Sequence, residues 1–171
     1  LDVAGEDILL ATSCWNACEA CGGGAPVNDL ACDATALATD GVAVSTTNVD
    51  ATPDGPQASC WTDDGVEGDV WFTFVAPAAG AVTIETIDTG DSDDTQVAVY
   101  SSSDGTCEGD LTEVGCSDDI STTDYMSLAT IDGLTAGDTY WIQVDGWDGT
   151  FGDFDIVISE GGDVSVAEFV E

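Results

Sequence analysis

The chain has 171 residues, 35 of them Asp or Glu and none Lys, Arg or His, so its formal net charge is −35. That balance excludes nucleic acid as a direct partner, because phosphate is held by cations, and it leaves no Ser-His-Asp triad, Cys-His pair, Schiff-base lysine or phosphate clamp. At 43% hydrophobic residues the sequence is too apolar for a disordered acidic tail, and it is long enough for one domain with a core.

Of the usual catalytic repertoire only carboxylate chemistry remains, such as a glycosidase pair, and a protein that is not an enzyme is expected. No apolar run reaches the ~20 residues that cross a bilayer, so no membrane insertion is expected. Seven cysteines in a Gly-rich, Lys-free chain point to an oxidising compartment. The opening residue, Leu1, is read as the start of a mature product after signal removal. The expected setting is extracellular or at the cell surface, where salt and calcium screen the charge.

Residues 1–25 read as a Cys-rich N-terminal arm. Ile8, Leu9 and Leu10 mark a short strand, Cys14, Cys18 and Cys21 follow, and the triple glycine at residues 22–24 is a flexible joint. The spacing of the three cysteines also matches that of enzymes holding an iron–sulfur cluster, but the compartment is wrong for it. A zinc site with Cys32 as fourth ligand is a further alternative.

From residue 26 onward, short apolar segments with turn punctuation predict an all-β sandwich. Strands are expected near residues 34–39, 42–49, 69–75, 81–87, 96–101, 111–116, 127–131, 139–145 and 153–159. Tyr140, Ile142 and Val144 share one face, as do Phe154, Ile156 and Ile158, and Val70, Phe72 and Phe74; Val97 and Val99 are the buried pair of their strand. Trp71 points away from the face of its neighbours and is harder to place. Residues 161–171 alternate again and read as a C-terminal strand outside the domain of residues 26–160.

An acidic cluster, Asp91, Asp93 and Asp94, opens one of these strands, and a pair, Asp118 and Asp119, closes the next. Close carboxylates repel by about 1 kcal/mol per pair at ~4 Å even in water. A hard cation removes that cost, so the clusters point to Ca²⁺. The alternative is that each Asp is a solvated turn former. Cys32 and Cys60 flank the first two strands and are expected to pair, as are Cys107 and Cys116, a local clasp. That leaves Cys14, Cys18 and Cys21, an odd number, which suggests a bond between molecules or a free thiol. Trp141, Trp147 and Phe151 either form an aromatic platform for sugar rings or fill the core, and the same choice holds for Trp61 and Trp71. The Gly-rich acidic loop carrying Asp145, Asp148 and Asp153 is either a second cation site or plain turn chemistry.

The order of six motifs carries a family resemblance. They are Pro26-Val-Asn-Asp-Leu-Ala-Cys-Asp-Ala-Thr-Ala-Leu37, Gly68-Asp-Val-Trp-Phe-Thr-Phe-Val-Ala-Pro77, Gly80-Ala-Val-Thr-Ile84, Asp94-Thr-Gln-Val-Ala-Val-Tyr100, Gly115-Cys-Ser-Asp-Asp119 and Gly137-Asp-Thr-Tyr-Trp-Ile-Gln-Val144. Together they resemble the bacterial pre-peptidase C-terminal type domain over about residues 26–160. The resemblance implies a secreted β-sandwich of jelly-roll character, with about eight or nine antiparallel strands. It also implies a metal held at Asp69, Asp94, Asp118 and Asp119, which agrees with the charge argument.

Two functions are expected from this reading. In the first, the chain is a structural subunit of an extracellular fibre or surface assembly, stabilised by Ca²⁺. Its partner is itself, through the terminal arms: Ile8, Leu9 and Leu10 add a strand to a neighbour, and Cys14, Cys18 and Cys21 link subunits. In the second, it is a calcium-binding carbohydrate-binding or adhesion module with a polysaccharide partner.

Overall fold

The structure is a computed structural model and describes residues 24–62, 65–90 and 94–161. All nine expected strands are present: β1 (Thr35–Ala36), β2 (Val44–Thr47), β3 (Val70–Val75), β4 (Ala81–Asp88), β5 (Thr95–Ser102), β6 (Leu111–Ser117), β7 (Leu128–Asp132), β8 (Thr139–Gly146) and β9 (Asp153–Glu160). They form two sheets, one in the order β1-β3-β8-β5-β6 and one in the order β2-β9-β4-β7. Every pairing is antiparallel except β1 with β3. The first two strands are much shorter than the apolar segments that predicted them, and a single 3-10 turn, Ala31–Asp33, precedes them. The arm residues Ile8, Leu9, Leu10, Cys14, Cys18 and Cys21, the C-terminal segment beyond Gly161, and Asp91 and Asp93 lie outside the described residues.

The inner faces of the two sheets meet as the alternation predicts. Val70, Phe72 and Phe74 from β3, Ile142 and Val144 from β8, and Phe154, Ile156 and Ile158 from β9 are all buried in one cluster. On β9 the intervening residues stay partly exposed, so that strand reads as a half-buried one. β5 and β8 differ, because they are buried on both faces. On β5, Gln96, Ala98 and Tyr100 are as buried as Val97 and Val99.

A second apolar cluster accounts for this. Trp71, Ala98, Tyr100 and Trp141 project from the outer face of the five-stranded sheet and pack with Ala58 and Trp61 from the β2–β3 connection. That connection, residues 48–69, is longer than the ~12–15 residues beyond which an irregular loop is uncommon. Its described residues, 48–62 and 65–69, lie over the sheet as a cover. The period-2 pattern of β3 shows an apolar residue on each face, and Trp71 is the one that the cover buries.

One of two disulfides, through Cys60, ties this cover to the sheet. Cys32 bonds Cys107 and Cys60 bonds Cys116, so the expected pairs Cys32–Cys60 and Cys107–Cys116 are exchanged. The local clasp fails on distance. Cys107 precedes β6 and Cys116 lies near its far end, and a strand advances ~3.3 Å per residue, so the strand alone separates them by about 17 Å. The observed bonds span 75 and 56 residues. In the chain-entropy account each contributes roughly 4 kcal/mol, more than the short clasp would.

Gly55 marks the closest approach of cover to sheet. A Cβ there would lie 2.2 Å from Gln143 Nε2 and 2.6 Å from both Asp69 Oδ2 and Trp71 Cζ2. Gly55→Ala should therefore cost about 1–3 kcal/mol by overpacking. Gly24→Ala, with nothing within 4 Å, should change stability little. Urea unfolding of the two variants checks this, and equal midpoints would show that the cover is not packed against the sheet.

Candidate metal centre and the buried carboxylates

Two kinds of carboxylate occupy one end of the five-stranded sheet, and the topology sorts them. Asp69, Asp145, Gln96 and Asp118 fall in one cross-strand row over β3, β8, β5 and β6, since Gln96 lies opposite Asp145, and the flanking pairs Val70↔Val144 and Val97↔Ser117 set the rest. The row ends in the open at Asp118 and runs under the cover at Asp69.

At the open end, β5 begins where β6 finishes, because the two are antiparallel. This brings Asp94 to Asp118 and Asp119. One oxygen from each of the three lies within 4.8 Å of the others. Calcium–oxygen distances are ~2.3–2.6 Å, so oxygens on opposite sides of one ion stand up to about 5 Å apart. Three hard oxygen donors at this spacing fit a single Ca²⁺. Among the described residues this is the one group of three potential ligands so placed.

Hydrogen bonds fix the cluster's frame. The Gln96 side-chain amide donates to Asp118 Oδ1 at 3.2 Å. The Ser127 hydroxyl contacts the carbonyls of Asp118 at 2.7 Å and Thr95 at 2.5 Å, and the Thr95 amide donates to the Tyr125 carbonyl at 3.1 Å. The carboxylates line a cavity of about 460 Å³ together with Thr62, Tyr125 and Trp147. Trp147 is 41% exposed and Tyr125 47%. The turn carrying Trp147 is pinned by buried Asn48, whose amide nitrogen donates to the Thr150 carbonyl and whose oxygen accepts from the Gly152 amide.

Asp69 does not join this cluster. It precedes β3, two strands from β5 with β8 between, which is about 10 Å in ladder spacing. Its side chain is engaged elsewhere: Oδ1 accepts the Asp54 amide at 3.0 Å, and Oδ2 accepts the Gly55 amide at 3.2 Å and Gln143 Nε2 at 3.0 Å. Asp145 does the same for the other end of the cover, accepting the amides of Glu67 and Gly68 at 3.0 Å each. The acidic stretch from Asp145, at the end of β8, to Asp153 thus gives one structural carboxylate, Asp145, and no second cluster among the described residues.

The three aromatic residues expected as a platform are split. Trp141 lies on the outer face of β8, under the cover, and is 4% exposed, so it cannot meet a sugar. Trp61 and Trp71 are buried with it. Phe151 is exposed, but its ring lies where a Cβ of Gly68 would be, at 2.3 Å. Trp147 alone reaches the carboxylate cavity. Its neighbour there, Tyr125, carries no signal in the sequence, being a lone aromatic in a polar turn.

Burial raises the Asp69 carboxyl to about 7 from an ordinary 3.8; the Asp54 amide opposes this, and the Asp54 and Asp145 carboxylates add to it. A carboxyl whose folded-state value is raised binds its proton more tightly when folded. Its contribution to stability is therefore fully present below the unfolded value of 3.8 and is lost as pH rises to about 7. At fixed high salt, where net repulsion is screened, the melting temperature should fall over that window. Asp69→Asn should flatten the fall, and an unchanged slope in the variant would count against the assignment.

A family model described as galactose binding domain-like, and T9SS-associated by name, matches residues 27–156. A comparison with curated proteins found no match. Among solved structures the chain is similar to the pre-peptidase C-terminal domain of collagenase from Bacillus anthracis, at 9% identity over 74% of this chain and 94% of that one, with a TM-score of 0.47. That is the kind of domain its six motifs resemble. The family match spans β1 to the first half of β9, cover included, and on it the chain belongs to the T9SS-associated galactose binding domain-like family.

Proposed function

We propose that the chain is a secreted carbohydrate-binding module whose ligand cavity is built on a calcium ion held by Asp94, Asp118 and Asp119. The observation that carries this reading is the meeting, in one cavity, of three oxygen donors and two half-exposed aromatic rings. Calcium takes six to eight oxygen ligands, so three side chains leave positions for sugar hydroxyls. The flat faces of Trp147 and Tyr125 suit the apolar side of a pyranose ring. The family description favours a galactose-bearing polymer as the first ligand to try. Two disulfides and the T9SS association support an extracellular or cell-surface setting. The role is one of binding, not turnover.

Calcium bound only by the folded state stabilises it by mass action. A chelator at low salt should therefore lower the melting temperature and release the protein from a galactose-bearing polysaccharide. Trp147→Ala should weaken sugar binding about tenfold while leaving the calcium effect intact. The Asp94→Asn, Asp118→Asn pair should lose both. A melting curve indifferent to chelator would remove calcium from the reading. A calcium effect without polysaccharide binding would reduce the ion to a structural one.

A second reading, the fibre subunit, is favoured by the edges of the four-stranded sheet, where β2 and β7 each lack a neighbour on one side among the described residues. Such an edge accepts an added strand. The strand that would be donated, with Ile8, Leu9 and Leu10, and the linking Cys14, Cys18 and Cys21 lie outside the described residues. Light scattering on the full chain and on a chain lacking residues 1–21, at high salt with calcium, decides it. Polymers of the full chain alone support assembly, and two monomers exclude it.

A further inference from the structure

The charges around the cavity of Asp94, Asp118 and Asp119 are all of one sign. Three carboxylates are offered to an ion of charge two, so the filled centre keeps one net negative charge, and the empty centre is no less negative. The rest of the lining is neutral: Thr62, Tyr125 and Trp147. Acids flank both rings. Asp124 precedes Tyr125 and Asp148 follows Trp147, and both acids are exposed. The Glu67 carboxylate reaches the space that a Cβ of Gly149 would take, in the same turn as Trp147. Successive Cα atoms stand ~3.8 Å apart, well inside the ~8 Å over which charge acts at physiological salt. A ligand lying on the rings therefore feels these acids.

Proteins hold anionic groups with Arg and Lys. This chain has neither, and no His. A sulfate or carboxylate on the sugar would bring a fourth negative group to the ion if it ligated there. If it lay along the rings instead, it would face Asp124, Asp148 and Glu67. A neutral hydroxyl meets neither cost, because its oxygen ligates the ion while its proton is donated to an acidic acceptor. The field of the −35 chain acts in the same sense at a distance, repelling an anionic polymer before contact.

We propose, on the carbohydrate reading above, that the cavity selects a neutral galactose-bearing glycan and rejects its sulfated or uronic counterparts, with Asp124 and Asp148 as the specificity-determining residues at its rim.

The test is a calorimetric titration of the full chain, at saturating calcium, with three galactan oligosaccharides. They are the parent, one O-methylated at a hydroxyl that tolerates the methyl group, and one O-sulfated at that same hydroxyl. The methyl ether supplies a substituent without charge. At physiological salt the sulfated ligand should bind about tenfold more weakly than the methylated one. At ~1 M salt, where charge acts over only ~3 Å, the gap should close to about threefold or less. Asp124→Asn combined with Asp148→Asn should recover about threefold for the sulfated ligand and leave the parent unchanged. Both changes keep the local fold: Asn retains the oxygen that accepts the Met126 amide from Asp124, and it tolerates the positive φ of residue 148. Asp138→Asn removes an exposed charge from the opposite end of β8 and should alter neither ligand. The proposal is overturned by equal binding of the two substituted ligands at physiological salt, by a gap that salt leaves open, or by an Asp138→Asn effect as large as that of the rim pair. In those cases the parent still binds and the carbohydrate reading stands. If the parent does not bind either, that reading falls and the selection falls with it.

Discussion

The absence of any positive side chain governs how this protein is built. A buried carboxylate elsewhere is commonly met by Arg or Lys; here it must be met by backbone N–H groups, by side-chain amides and hydroxyls, or by something from outside. Asp69 and Asp145 take the first course. Between them they accept four amides from the two ends of the cover, at Asp54, Gly55, Glu67 and Gly68. Those bonds join a connection without regular structure to the most buried strands of the sheet, and they place Trp61 and Ala58 over Trp71, Tyr100 and Trp141. The second core thus depends on two acids.

The same rule separates structural from available carboxylates. Asp54 accepts the Trp71 indole N–H at 2.8 Å, and Glu113 accepts the amide of Ser59 at 2.7 Å, so both are spent on holding the cover. Asp94, Asp118 and Asp119 sit at the open end of β5 and β6, where the cover brings Thr62 to the cavity they line. Their mutual repulsion is answered by proximity to solvent and, in the reading given above, by an ion. A single row of polar positions across one sheet therefore passes from architecture to binding within four strands.

Much of this was legible in the residues. Period-2 alternation is clearest in β3, β4, β7 and β9, each of which buries an apolar face, while turn residues on either side mark the short β1 and β2. The antiparallel order of two neighbouring strands sufficed to bring Asp94 to Asp118 and Asp119. What could not be read was the second core. A strand buried on both faces looks the same in sequence whether a second sheet or a loop lies on top, and residues 48–69 have no periodicity to declare that they lie on anything. The errors share that origin. Trp141 was open to reading as a platform because its covering segment was invisible. Nearness in the chain pairs Cys32 with Cys60 and Cys107 with Cys116, whereas it is the path of the cover across the sheet that brings Cys60 to Cys116. Asp69 followed the family's motif into the metal set, while its bonds to the cover took it out.

The two disulfides interleave along the chain, in the order Cys32, Cys60, Cys107, Cys116, with first joined to third and second to fourth. This has a consequence for biogenesis. A chain delivered amino end first presents Cys32 and Cys60 together long before Cys107 exists, and oxidation at that moment would link the wrong two. In the fold, the pairing of β5, β6 and β8 sets where Cys116 lies, so a chain oxidised before that pairing has nothing to guide Cys60 to it. Interleaved bonds of this kind favour a route on which folding precedes, or is coordinated with, exposure to oxidant.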